Sequence, residues 1–180
     1  QLGVNRPSHV FVQAGVGSLA GAVVGYFTNL FPNDPPKFIV MEAQAADCLY
    51  RGALAGDGAP RIVDGDLQTI MAGLACGEPN TISWDILKNH VKVFIAAPDW
   101  VAATGMRMLG APIKGDAPVT SGESGAAPFG ALAAVMSMDE YADLRKDIGL
   151  DENSRVLLFS TEGDTDPDRY KNIVWKGLDK

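Results

Sequence analysis

Three short stretches bring glycines and hydroxyl side chains close enough together to hold an anion: Gly15-Val-Gly-Ser18, Ser121-Gly-Glu-Ser-Gly125 and Ser160-Thr-Glu-Gly-Asp164. The first follows the apolar run His9-Val-Phe-Val-Gln13 and precedes a helix-forming segment that starts at Leu19. Strand, glycine turn and helix in that order make a phosphate cradle. Glycines let a ligand approach main-chain N–H groups that a Cβ would shield, and the helix N-terminus adds its positive end. A lone Gly-x-Gly also describes an ordinary strand-to-helix corner, and every βα unit needs a turn. Three such loops argue for a pocket, because in an open parallel sheet the loops that leave the strands gather at one edge.

The ligand is a separate question. Gly15-x-Gly17-x-x-Ala20 fits the dinucleotide fingerprint, and Glu42 ends the next strand where a ribose-binding acid would stand. A Rossmann-type NAD(P)-binding oxidoreductase domain using Gly15, Gly17, Ala20 and Glu42 is therefore the alternative reading. It leaves the Ser121 and Ser160 loops without a role. A Walker loop is absent because no Gly-Lys-Ser/Thr follows the glycines, and neither Ser18 nor Ser124 lies in a Gly-x-Ser-x-Gly elbow. His9 and His90 lack partners at metal-ligand spacing and read as surface or strand-end residues; no metal site is expected. Asp64, Asp66 and Glu78 read as turn formers and solvated acids. Trp84, Trp100 and Trp175 read as core or interface residues.

The elements that must position the loops follow from the pattern of apolar residues. Strands are expected over Ser8–Gln13, Lys37–Glu42, Val91–Ala96 and Arg155–Phe159, and helices over Leu19–Leu30 and Ala43–Leu54. Ser83 is expected to cap a helix through Asn89, and Asp99 one through Leu109 that stops at Gly110. A buried helix over Ala126–Met136 would hold Pro128 in its first turn, and a polar helix over Asp139–Ile148 would stop at Gly149. Residues from Tyr170 onward are expected to trail off, and Arg61–Thr81 receives no assignment beyond a short helix at Thr69–Leu74. The order βαβα predicts an α/β fold, an open and mostly parallel sheet with helices on both faces.

The totals agree with one such domain. The chain has 180 residues, 47% of them apolar, enough for a full core. Its net charge of -7 argues against nucleic acid or an anionic membrane surface. No apolar run is long enough to cross a bilayer, and the start lacks the pattern of a signal peptide, which favours a cytoplasmic location. Cys48 and Cys76 are too few and too far apart for a disulfide framework or zinc site; two buried thiols are expected, with a single bridge left open. The first strand begins within eight residues of Gln1, with no Met, as if the chain had been cut from something longer.

Taken together, the segments resemble the serine/threonine dehydratase group of pyridoxal-phosphate enzymes. Gly15-Val-Gly-Ser-Leu19 is similar to its phosphate loop, Asp64-Gly65 to its Asp-Gly turn, and Ser160-Thr-Glu-Gly-Asp164 to its last-strand Ser-Gly-Gly-Asn. Within that group, four stretches look like the diaminopropionate ammonia-lyases: Phe11 to Ser18, Thr69 to Asn80, Ser121 to Ala126, and Phe159 to Pro167. The resemblance spans essentially the whole chain.

It implies fold type II and elimination of 2,3-diaminopropionate to pyruvate and ammonia with pyridoxal phosphate as cofactor. It places Gly15, Val16, Gly17, Ser18 and Leu19 on the cofactor phosphate, Ser160 or Thr161 on the pyridine nitrogen, and Glu123 in the pocket. It also implies a homodimer acting in amino-acid catabolism on a small amino-acid substrate. The Schiff-base lysine would lie before the glycine loop, in an N-terminal half absent from these 180 residues, because none of the eight lysines matches the family's lysine motif. Lys37, Lys92 and Lys114 read as solvated. On this reading the chain holds no catalytic residue and cannot form the internal aldimine alone.

Overall fold

In a computed structural model, which describes residues 6–179, four strands form one parallel sheet. The strands are β1 (His9–Gln13), β2 (Lys37–Ala43), β3 (Val91–Ala97) and β4 (Val156–Leu158), in the order β3-β2-β1-β4. The segment Gln1–Asn5, where the sequence starts abruptly, lies outside the described residues, as does Lys180.

Both faces of the sheet are covered, so its central strands read as unbroken apolar runs rather than as alternation. Val10, Val12, Phe38 and Val40 point to one face, packed with residues of α1 (Ser18–Leu30), α2 (Cys48–Ala55) and α3 (Thr81–His90). Phe11, Ile39 and Met41 point to the other, against α4 (Asp99–Gly110), α5 (Glu123–Ser137) and α6 (Ala142–Ile148). A last helix, α7 (Pro167–Val174), buries Ile173 against α4. The fold class expected from the sequence is the one found.

α4 and α5 cross at backbone contact. A Cβ on Gly105 would lie 2.3 Å from the Ala126 carbonyl oxygen, and one on Gly130 would lie 1.9 Å from that of Val101. Only glycine leaves room for two helices to approach so closely.

Five local expectations are corrected. Asn80 caps α3, its Oδ1 accepting from the Ser83 N–H at 2.9 Å, while Ser83 lies inside the helix. Asp99 begins α4 without capping it; its carboxylate instead takes the Thr69 hydroxyl at 2.5 Å and the Ile70 N–H at 3.2 Å. α5 starts three residues earlier than expected, so Pro128 falls inside the helix and not in its first turn. The C-terminal residues form α7 with Asp166 as its cap and Pro167 opening it. Finally, the Ser121 loop follows no strand; it is the extended approach to α5.

Among the described residues, no helix is long and apolar enough to cross a membrane.

Candidate functional site

β1 is flanked by β2 on one side and β4 on the other, and the chain leaves β1 and β4 towards opposite faces of the sheet. Loops diverging from adjacent parallel strands open a crevice at their carboxyl ends. Here that crevice is a cleft of ≈ 390 Å³ lined by residues 13–19 at the end of β1, by Gly73, Leu74 and Cys76, by Ser124, and by Thr161 and Glu162 beyond β4.

The glycine turn forms its floor. Gly17 has φ 95, the left-handed region, and immediately precedes α1. A Cβ there would also press on Leu87 Cδ1 at 3.1 Å and Leu49 Cδ1 at 3.3 Å. α1 receives no side-chain cap and has no acid in its first turn. Its opening N–H groups therefore face the cleft without an anionic partner from the described residues, where a phosphate group is favoured. Among the described residues, no lysine or arginine lines the cleft. An anion bound here would be held by main-chain amides and the helix end.

The structure brings Gly15, Val16, Gly17, Ser18 and Leu19 together with Thr161 around one space. Ser160 does not line it; its hydroxyl is bonded to Ser121 Oγ at 2.9 Å. Nor does Glu123, whose carboxylate pairs with Arg169 at 3.0 Å; burial raises its pKa against the pull of that arginine. The acid that does line the cleft is Glu162. Its carboxylate accepts from the Ser124 N–H at 2.7 Å and the Gly125 N–H at 3.4 Å, closing the N-terminus of α5. Ser124 Oγ in turn accepts from the Gly73 N–H at 3.2 Å and fixes the opposite wall.

Ser124 and Glu162 lie in two of the three loops that the sequence marks as a pocket, without being singled out there, whereas Gln13 and Gly73 were missed as lining residues. Gln13 carried a signal, a polar residue closing the apolar run Val10–Val12.

Glu42 settles the dinucleotide alternative. It has no exposed surface, and its carboxylate accepts from the Leu49 N–H at 2.9 Å and the Tyr50 N–H at 2.7 Å. Burial raises its pKa to about 7, against those same bonds. A carboxylate turned under α2 cannot receive a ribose hydroxyl, so the Rossmann reading of Gly15, Gly17, Ala20 and Glu42 is wrong despite the matching fingerprint.

The remaining chemistry-bearing side chains serve the fold. Cys48 is a free, buried thiol 3.6 Å from Glu42 Oε1; burial pushes it up to about 12, and it is inert as a nucleophile. Cys76 is the exception, a free thiol on the wall of the cleft. His9 is buried at the start of β1 remote from the cleft, bonded to the Ile148 carbonyl at 2.9 Å; burial lowers its pKa. Lys37 is not simply solvated, since it donates to the same carbonyl at 2.6 Å.

Comparison with known proteins decides the family. A family profile described as "Pyridoxal-phosphate dependent enzyme" matches residues 1–162. The chain belongs to the pyridoxal-phosphate dependent enzyme family. Among curated members of that family, diaminopropionate ammonia-lyase of Salmonella typhimurium is 52% identical over 172 residues, 95% of this chain and 43% of that protein. The Escherichia coli K12 enzyme of the same name is 46% identical over 177 residues, 98% of this chain and 44% of its own length. The chain thus spans less than half the length of the curated relatives it matches.

Among solved structures, Escherichia coli diaminopropionate ammonia-lyase in complex with an aminoacrylate-PLP azomethine reaction intermediate superposes with a TM-score of 0.87 at 45% identity, covering 99% of this chain and 44% of that one. The processed form of threonine deaminase isoform 2 from Solanum lycopersicum, at 15% identity and a TM-score of 0.72, covers 94% of this chain and 44% of its own; it shares the fold. These relatives are pyridoxal-phosphate dependent enzymes of fold type II.

Proposed function

We propose that this chain supplies the cofactor-cradling part of a diaminopropionate ammonia-lyase, which converts 2,3-diaminopropionate and water to pyruvate and two ammonia. One observation carries the reading. The uncapped start of α1, behind the left-handed Gly17, faces a cleft whose far side presents the neutral Thr161 hydroxyl. A single phosphate suits the first feature, and a pyridine nitrogen suits the second.

The residues fit pyridoxal phosphate. Main-chain amides from Gly15 to Leu19 would hold the phosphate, and Thr161 would meet the ring nitrogen. Once bound, the group supplies an electron sink for the carbanion left when an amino acid loses its Cα proton. This chain's own part is to bind, orient and exclude water. Gly73, Leu74 and Cys76 wall one side of the cleft. Glu162 turns its carboxyl oxygen to the Ser124 N–H at the start of α5, and α1 has no acid in its first turn to compete with the phosphate.

The proton-transfer groups and the Schiff-base lysine belong, on this proposal, to an N-terminal half outside these residues. In support, no described lysine lines the cleft: Lys37 donates to the Ile148 carbonyl, Lys88 pairs with Asp85 and Lys92 with Asp147. The proposal further takes the protein to be a cytoplasmic homodimer of amino-acid catabolism; the two free thiols are in keeping with a reducing compartment.

The test is turnover. The full-length polypeptide carrying these residues, loaded with pyridoxal phosphate, is expected to release pyruvate and two equivalents of ammonia from diaminopropionate. A protein that takes up no cofactor and releases no pyruvate overturns the reading. Residues 1–180 alone are expected to give no lysine adduct on borohydride reduction.

A further inference from the structure

Gln13 closes β1 and is 2% exposed, although its neighbours along the strand are apolar. A side-chain amide buried so deeply is unfavourable unless it is hydrogen-bonded. Its nitrogen makes two bonds, to the Phe159 carbonyl at 3.1 Å and to Thr161 Oγ1 at 2.7 Å. Its oxygen is buried without a partner among the described residues. The orientation of the amide follows from chemistry. A main-chain carbonyl only accepts, so the end facing Phe159 has to be the NH₂; the reversed amide would set oxygen against oxygen. Both N–H donors are therefore committed, one to the backbone beyond β4 and one to the hydroxyl.

That commitment decides what the hydroxyl can do. Thr161 Oγ1 accepts from Gln13, so its own proton is directed elsewhere, and it donates to no other described residue. Thr161 lines the cleft, whereas Ser160 is engaged with Ser121 and does not. We infer that Gln13 is a positioning residue, one that makes the Thr161 hydroxyl a hydrogen-bond donor toward an unprotonated ring nitrogen. The inference rests on the pyridoxal-phosphate reading and deepens it. An unprotonated pyridine nitrogen offers a lone pair and needs a donor; a pyridinium needs an acceptor. The site selects the neutral ring by the direction of one amide.

The test uses the full-length polypeptide reconstituted with pyridoxal phosphate labelled with nitrogen-15 in the ring. Gln13→Met and Thr161→Val are each expected to raise the cofactor dissociation constant about 2- to 10-fold, the range of one neutral hydrogen bond. The double variant should bind no more weakly than Thr161→Val alone, because both act through one hydroxyl. Multiplicative losses would reduce Gln13 to a packing role and overturn the inference. Gln13→Glu supplies a second readout. Its carboxyl donates its one proton to the Phe159 carbonyl and accepts the Thr161 proton on its other oxygen, so the ring nitrogen signal should move to the protonated position; an unmoved signal overturns the inference. Should that variant fail to fold, the binding cycle decides. A wild-type protein that takes up no cofactor defeats both readings. One that loads normally while Thr161→Val loses nothing defeats this inference alone.

Discussion

The Glu162 carboxylate lies 2.7 Å from the Ser124 main-chain nitrogen, at the start of α5 and on the wall of the cleft. Two helices begin around this space. The chain closes one with its own acid and leaves the other, α1, open behind Gly17. The cleft therefore offers one place for an anion, and its position is set by which helix end already has a partner.

Glu162→Ala leaves the Ser124 and Gly125 N–H groups without that partner. The expected loss is about 0.5–2 kcal/mol of stability, the range for removing a cap from a helix N-terminus. Urea unfolding of the full-length protein measures it. Glu162→Gln, which keeps an accepting oxygen, should recover most of the difference.

Gly17→Ala places a methyl group at φ 95 and against Leu87 and Leu49. Strain of about 1–2 kcal/mol is expected from the left-handed backbone alone. Relaxing it would turn the α1 amides away from the cleft, so cofactor affinity should fall along with the melting temperature. A visible-absorbance titration with pyridoxal phosphate checks this; unchanged affinity would remove the turn from the cradle.

Glu42 predicts a pH dependence of known sign. Burial raises its folded pKa to about 7, above the ordinary 4.5, so the folded state holds a proton that the unfolded chain has released. Its contribution to stability is complete below pH 4.5 and is lost as pH rises through 7, a change on the order of 3–4 kcal/mol. Glu42→Gln should flatten the stability curve between those limits, as read by urea unfolding across pH. A slope that persists in the variant would assign it to other groups.

Gly130→Ala drives a methyl group into the Val101 carbonyl, 1.9 Å from its ideal position. The helices must separate to admit it, with an expected cost above about 3 kcal/mol and loss of soluble protein. Thermal melts of the full-length protein decide this. Gly163→Ala, which meets nothing within 4 Å, serves as the control.

How legible the molecule was depended on how local each signal is. β1 and β2 stood out because strands buried on both faces are continuous apolar runs, the half-exposed edge strand β3 stood out by its β-branched and aromatic residues, and Gly149 stopped α6 with a left-handed residue of φ 61. The start of α5 was misjudged because the carboxylate that closes it belongs to Glu162, 38 residues away in sequence. α7 was missed although Asp166-Pro167 is a local cap and opener; the polar residues around it masked the signal.

The glycine loop of the site was legible for the same local reason. The identity of its lining was not. Ser160 and Thr161 are adjacent in the chain, and only the packing of Ser121 beneath one and Gln13 beside the other separates their roles. Glu42 shows the reverse failure, a residue in the right register for a ribose whose side chain turns instead toward the Leu49 and Tyr50 amides.

β4 joins the sheet through three residue pairs with β1, at His9, Val10 and Phe11, and beyond them the backbone is tied to Gln13 through Phe159. Strand ends so lightly fastened open at a small fraction of the global unfolding energy, and their amides trade protons with solvent soonest. The arm bearing Thr161 is therefore held less by the sheet than by the ties of Ser160 to Ser121, Thr161 to Gln13 and Glu162 to the start of α5, whereas the Gly17 floor is anchored against Leu87 and Leu49 in the core. A bound ligand bridging the two would slow exchange chiefly on the β4 side. Its binding energy would appear as local order in residues 159–163 before it appeared as global stability.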